Sequence, residues 1–199
     1  MIIKTIPAGI YDANCYIVID NDTREAGIID PGGDEIKLEE IMKSLDIKPK
    51  FILLTHAHVD HVGAVEYLSK LLNIPFYMHE SEVKYIENDN YVFGNIRKAD
   101  GYLDENTELY LGNHRINVIH TPGHTEGGVC FLIDKDLFSG DTLFQGAIGR
   151  TDFSGGDFGK IISSIKTKLL PLGDDITVYP GHGPKSSIGF EKRNNPFLT

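Results

Sequence analysis

Phe51-Ile52-Leu53-Leu54-Thr55-His56-Ala57-His58-Val59-Asp60-His61 joins an apolar run to four potential metal ligands packed into its last six residues. The apolar run predicts a buried strand over 51–55, and the pattern from Val62 onward predicts an amphipathic helix over 62–73. The cluster is therefore expected at the carboxyl end of a strand, where open α/β sheets place their ligands. If the strand continues through Thr55, side chains two apart project to the same side, so His56 and His58 can grip one ion from an extended backbone. Asp60 and His61 follow the turn toward the helix and can aim at a second ion. Imidazole and carboxylate donors without thiolate suit zinc, iron or manganese, in a catalytic rather than a sealed structural site. Histidines ahead of a helix can instead cap it or bond to backbone, so further ligands must decide.

Upstream, strands are expected near 2–6, 14–20 and 24–30, then a turn at Asp30-Pro31-Gly32-Gly33 and a helix near 34–45. Downstream come a strand at 75–79, a short helix near 80–87 and a polar stretch from Asn88 to Gly101. Strands near 107–111, 114–120, 128–134 and 136–139 follow. A glycine-rich connection then leads to a helix near 158–170 and a last strand at 175–179. Several strands are joined by turns too short for a crossover helix, so an α/β protein with mixed sheets is expected.

The chain of 199 residues fits one domain with a sizeable core. No stretch approaches the roughly 18 consecutive apolar residues of a membrane span, and Met1-Ile2-Ile3-Lys4-Thr5-Ile6 lacks the features of a signal peptide, so a cytoplasmic location is expected. A net charge of −10 argues against a nucleic-acid backbone as partner. Cys15 and Cys130 lie inside apolar segments and are expected to be buried free thiols.

Three later segments repeat one grammar, a strand ending in a Gly-rich turn that carries His or Asp. They are Ile119-His120-Thr121-Pro122-Gly123-His124-Thr125, Phe138-Ser139-Gly140-Asp141-Thr142-Leu143 and Val178-Tyr179-Pro180-Gly181-His182-Gly183-Pro184. Loops at strand ends are where sites gather. Sorted by reach, His56, His58 and His124 can make one site, Asp60, His61 and His182 the other, and Asp141 can bridge them. Two carboxylates and one hydroxide against two divalent cations leave about one positive charge, which attracts an anionic substrate.

With these segments in view, Thr55 to His61, Thr121 to Thr125, Ser139 to Phe144 and Tyr179 to Gly183 resemble, in order and spacing, the signature of metallo-β-lactamase-fold hydrolases. The resemblance covers nearly the whole chain. It implies a four-layer αββα sandwich, two mixed sheets with helices outside and the metal site at one sheet edge. Gly140 to Phe144, Ile148 to Phe153 and Gly181 to Leu198 are similar to small single-domain glyoxalase-II-like proteins. Hydrolysis of a thioester such as S-lactoylglutathione is thereby implied, with two divalent ions, zinc foremost and iron or manganese as alternatives. A small-molecule thioester is the expected partner. Larger members add a C-terminal helical domain that holds glutathione. Only 183–199 follow His182 here, so the whole of 1–199 is expected to be the metallo-β-lactamase-fold domain with that addition absent.

Asp60 is the residue expected to orient the attacking hydroxide. Arg150, on a loop that borders the substrate in the resembling family, can clamp a substrate carboxylate or pair with Asp152 or Asp157. His120 can support the ligands or simply be hydrogen-bonded, His79 has no evident partner, and His114 looks like surface. The 88–101 segment, with Tyr91, Phe93 and Arg97, can cover the site as a lid or fill a loop. A mononuclear-iron persulfide dioxygenase of the same fold is the chief alternative, and a lactonase or other ester hydrolase a further one.

Overall fold

The computed structural model describes residues 1–89 and 91–199. The first half builds one sheet. Strands β1 (Ile2–Ala8), β2 (Ala13–Ile19) and β3 (Glu25–Ile29) pair antiparallel through short turns. Crossovers then add parallel strands: α1 (Glu35–Ser44) leads to β4 (Lys48–Leu53), and α2 (Val59–Val62) with α3 (Val65–Leu72) leads to β5 (Phe76–Met78). Helix α4 (Val83–Asn88), entered through a tight turn at Glu80–Glu82, precedes the short edge strand β6 (Gly101–Tyr102).

The second sheet begins as a meander, β7 (Leu109–Leu111), β8 (His114–His120), β9 (Val129–Ile133) and β10 (Asp136–Gly140). A small hairpin, β11 (Leu143–Phe144) and β12 (Ala147–Ile148), follows. Helix α5 (Phe158–Ser164) runs on through a π-helical stretch at Ile165–Leu169. Strand β13 (Thr177–Pro180) then pairs parallel with β10, and β14 (Ser186–Ser187) and α6 (Ile188–Asn194) close the chain. Strand orders are β1-β2-β3-β4-β5-β6 and β14-β13-β10-β9-β8-β7.

Alternation along the strands explains the layering. Cys15, Ile17 and Ile19 face one way and pack with Leu38, Met42, Val65 and Leu68 of α1 and α3. Tyr16 and Val18 face the other way and meet Val129, Phe131 and Phe138 of the second sheet. Cys130 and Leu137 on the far side of that sheet pack with Ile161, Ile165, Leu169 and Ile188. Every residue of β2 is buried because both faces of its sheet are covered. A fully buried side chain such as Phe76 or Phe131 contributes roughly 1.5–3 kcal/mol. The order is helices, sheet, sheet, helices, the mixed αββα architecture expected.

Local departures have local causes. Strand β4 ends at Leu53 rather than 55, because the Thr55 N–H donates to the Asp30 carboxylate instead of a neighbouring strand. The single helix expected over 62–73 is two, starting at Val59 and broken at Gly63-Ala64. There the chain presses on the 31–33 turn: Ala64 N–H bonds Pro31 O at 2.9 Å, and a Cβ on Gly63 would lie 2.5 Å from Gly32 O. The β11–β12 hairpin, β6, β14 and α6 were not anticipated. Helix α6 had one signal, Ser187, whose hydroxyl accepts from Phe190 N–H as a cap. No described helix is long and apolar enough to cross a membrane.

Candidate metal centre

The loops after β4, β8, β10 and β13 open at one rim of the sandwich, and with α2 they deliver the seven candidate ligands together. Ligand atoms of His56, His58 and His124 lie within 4.8 Å of one another, and so do those of Asp60, His61 and His182. Asp141 stands between the triads, Oδ1 at 3.4 Å from His61 Nε2 and Oδ2 at 3.6 Å from His124 Nε2.

Hydrogen bonds behind the ligands fix how three imidazoles present themselves. Thr55 Oγ1 donates to Asp30 Oδ2 at 2.6 Å, so its lone pair faces His56 Nδ1 at 3.0 Å and that nitrogen carries the proton. His61 Nδ1 donates to Asp30 Oδ2 at 3.0 Å, and His124 Nδ1 donates to the Arg150 carbonyl at 2.7 Å. In each ring Nε2 is turned inward as the atom left to ligate, the arrangement that outer partners impose on metal-binding histidines. At His61 burial is outweighed by Asp141 and Asp30, which raise the imidazole above its ordinary range, so a divalent ion would take the place of its Nε2 proton. Asp30 also lies within reach of His56 and His61, forming a third group of potential ligands. Its oxygens are already occupied by Thr55 and His61, so it supports rather than ligates.

His124 Nε2 meets His58 Nδ1 at 2.9 Å, but other interior atoms have nothing to satisfy them. His56 Nε2, His61 Nε2 and Asp141 Oδ1 are buried without a hydrogen-bond partner. Orphaned buried polar atoms are costly, and convergent lone pairs with carboxylates between them are a cation site. Burial and the neighbouring rings hold the His56 imidazole well below its ordinary range and bring His58 down to about 3, which keeps both in the neutral ligating form. Burial alone would raise Asp141, but His61, His124 and His182 outweigh it and keep the carboxylate ionised. The donor set fits divalent metal ions.

Several contacts lock the loops. A Cβ on Gly181 would lie 2.1 Å from Asp141 Oδ1 and 2.8 Å from His61 Cε1, so only glycine lets the His182 loop approach. Gly140 takes φ +48°, and a side chain there would strike Thr55 Oγ1. From β2, Tyr16 OH donates to Pro180 O at 2.6 Å and Asn14 Nδ2 donates to Pro180 O and Gly183 O at 3.0 and 2.9 Å. Glu82 is fully buried, and its two oxygens accept from Ala57 N–H at 2.9 Å and Gly127 N–H at 2.8 Å. One carboxylate thus ties the His56/His58 loop to the His124 loop.

A pocket of about 740 Å³ opens over the ligands. His58, Asp60, His124, Asp141 and His182 form its floor, and Ile10, Tyr11, Val59, Tyr91, Val92, Phe144, Arg150 and Phe153 line the rest. Arg150 reaches the wall already engaged. Its Nε and Nη2 each donate to Asp152 at 2.7 Å, and its guanidinium lies 3.8 Å from the Phe153 ring centre. Asp157 is not its partner but caps α5 through Lys160 N–H. Within 88–101, Val92 O accepts from Val59 N–H and Ala57 O from Gly94 N–H, and Phe93 packs its ring 4.7 Å from His58. These residues wall the site; Arg97 lies away, paired with Asp100, and Asn90 is outside the described residues.

His79 has a partner after all. Its ring stacks on His120 at 4.3 Å and 6°, its Nδ1 accepts from Ser81 N–H, and His120 Nε2 donates to Glu126 O. His114 sits between Asp20 and Asp134, only partly exposed. The sequence reading missed Asp30, Thr55, Glu82 and the Arg150 carbonyl. An aspartate ending an apolar strand at Ile28-Ile29-Asp30 and the threonine ahead of His56 were the available signals; Glu82 offered none.

Comparison with known proteins agrees with this geometry. Residues 8–182 match the metallo-beta-lactamase superfamily. The hydroxyacylglutathione hydrolase GloC of Haemophilus influenzae is 41% identical, with 100% of this chain and 98% of that protein covered. The crystal structure of the B3 metallo-beta-lactamase BLEG-1 superposes with a TM-score of 0.91 at 40% identity, covering 100% of both chains. That of TTHA1623 in a di-iron-bound form gives 0.89 at 35% identity, covering 98% of this chain and 100% of its own. Ligand loops, sandwich and similarity agree: this chain belongs to the metallo-beta-lactamase superfamily.

Proposed function

We propose that this protein is a metallohydrolase that cleaves thioesters, hydroxyacyl thioesters such as S-lactoylglutathione among them. The observation that carries the reading is the inward convergence of unsatisfied His56 Nε2, His61 Nε2 and Asp141 Oδ1 beneath an open pocket. His56, His58 and His124 would hold one divalent ion, Asp60, His61 and His182 a second, with Asp141 shared; zinc is our first choice, iron or manganese the alternatives. When bound, the ions supply a Lewis acid and water acidified from ~15.7 toward ~7. Similarity to GloC supports the acyl-thiol substrate class.

The chain's own groups have distinct duties. Asp60 Oδ2 faces His182 Nε2 at 3.1 Å, which leaves Oδ1 to hold the proton of an attacking water and aim its lone pair at the carbonyl. Asp30 and Thr55 keep the protons of His61 and His56 on Nδ1, so neither ring can turn its lone pair outward. Phe93 packs against the His58 ring, and Phe144 and Phe153 give the pocket apolar walls beside the ligands. The departing thiolate has a pKa near ~8.5 and leaves without an acid.

A persulfide dioxygenase would use one iron and a subset of these ligands, which leaves Asp60, His61 and His182 without a task. The deciding experiment is metal analysis of the purified protein beside hydrolysis of S-lactoylglutathione and oxygen uptake with glutathione persulfide. Two ions per chain with thiol release support the hydrolase; oxygen uptake with one iron overturns it.

A further inference from the structure

The pocket wall and its floor differ in chemistry. Away from the ligands the described lining is Ile10, Tyr11, Val59, Tyr91, Val92, Phe144 and Phe153, with Arg150 as the only cation. Large apolar side chains are normally scattered on a surface, but here they gather: Tyr91 is 92% exposed, Ile10 85% and Tyr11 62%, all at one mouth. Clustered exposed apolar residues around a cavity mark a binding surface. The one cation is neutralised in place, since Asp152 takes two of its N–H donors while the guanidinium carbon lies over the Phe153 ring, 3.8 Å from its centre. Glutathione would bring two carboxylates and an ammonium to this mouth and find no unpaired countercharge among the described lining residues.

We propose that the thioester this pocket selects carries an apolar arm, packed on Ile10, Tyr11, Tyr91 and Phe144, and that the Arg150–Asp152 pair screens the mouth against charged thiols such as glutathione. The inference deepens the hydrolase reading and rests on it. The reaction is unchanged: water adds to the carbonyl and gives up a proton, the C–S bond breaks with its electron pair on sulfur, and the thiolate that leaves takes up a proton from solvent. Desolvating a carboxylate against an ion pair costs binding, whereas burying an aryl or alkyl group on these rings gains it.

The test is a matrix of thioesters assayed on the metal-loaded protein, lactoyl or phenylacetyl as acyl group, glutathione or benzyl mercaptan as thiol. The expected result is kcat/KM at least roughly tenfold higher for every member with an aryl arm than for S-lactoylglutathione. Tyr11→Ser with Tyr91→Ser should remove most of that advantage through KM and leave metal content unchanged. Asp152→Asn should free Arg150 and lower KM for S-lactoylglutathione several-fold, with no gain for the lactoyl thioester of benzyl mercaptan. S-lactoylglutathione matching or exceeding the aryl members would overturn the inference and leave the hydrolase standing. No hydrolysis of any member by protein holding two metals would overturn the hydrolase reading itself.

Discussion

The floor and the mouth of the pocket are built on opposite principles. On the floor each ligand is held from behind: Asp30 holds His61, Thr55 holds His56, the Arg150 carbonyl holds His124, and Gly181 fits against Asp141 with no room for a methyl. At the mouth Ile10, Tyr11 and Tyr91 stand in solvent with most of their surface uncommitted. A preorganised floor spends stability on fixed lone pairs, while a loosely held mouth can change side chains without disturbing them. Chemistry and substrate choice are thus separable in this molecule, and each can be attacked alone.

The largest expected effect is on the floor. Asp60→Asn should lower kcat by about 10²–10⁴ with little change in KM. Steady-state kinetics beside elemental analysis checks this, and full kcat with both metals retained would remove Asp60 from the role assigned. His56→Ala or His124→Ala should lose metal together with activity, seen by the same elemental analysis.

Next come the groups behind the ligands. Asp30→Ala should weaken metal binding about 10–100-fold, measured by competition with a chromophoric chelator. Glu82→Gln keeps one acceptor and forfeits the other, so a smaller loss of affinity is expected, with Tm of the metal-free protein read in parallel to separate a general loss of stability. Between the sheets, Phe131→Ala should cost about 3–5 kcal/mol by urea unfolding, a control for damage that has nothing to do with metal. The smallest effect belongs to the mouth: Ile10→Ser should leave Tm and metal content unmoved and shift only KM. A loss of metal in that variant would erase the distinction between the two regions.

The thiols offer a separate check on burial. Cys15 and Cys130 are free and buried, and burial raises both, Cys130 to about 11. At pH 8, below the raised value, they stay protonated, so iodoacetamide should label neither until the chain unfolds.

All seven candidate ligands could be named from residue types and their spacing behind strands, because a metal demands specific donors and a Gly-rich turn marks where the backbone must come close. The order of layers was less legible, since the continuous apolar runs of β2 and β9 say that both faces are covered without saying by what. Strand β4 stopped at Leu53 rather than 55 and the helix after it broke at Gly63 through contacts with residues 30–33, far off in sequence and near in space. Glu82 escaped for the same reason: a glutamate in Glu80-Ser81-Glu82 looks like a solvated charge until two distant loops close over it.

The ligands are drawn from loops of both sheets, from His56 to His182, so no partial structure can hold an ion well. Until the second half of the chain has docked on the first, only His56, His58, Asp60 and His61 lie close together, and each triad lacks its third member, His124 or His182. The ion therefore acts as a late latch, with binding energy released mostly after the slow, nonlocal pairing of two sheets is complete. Its concentration then governs how long the closed form persists, and metal supply becomes a determinant of this protein's lifetime as well as of its catalysis.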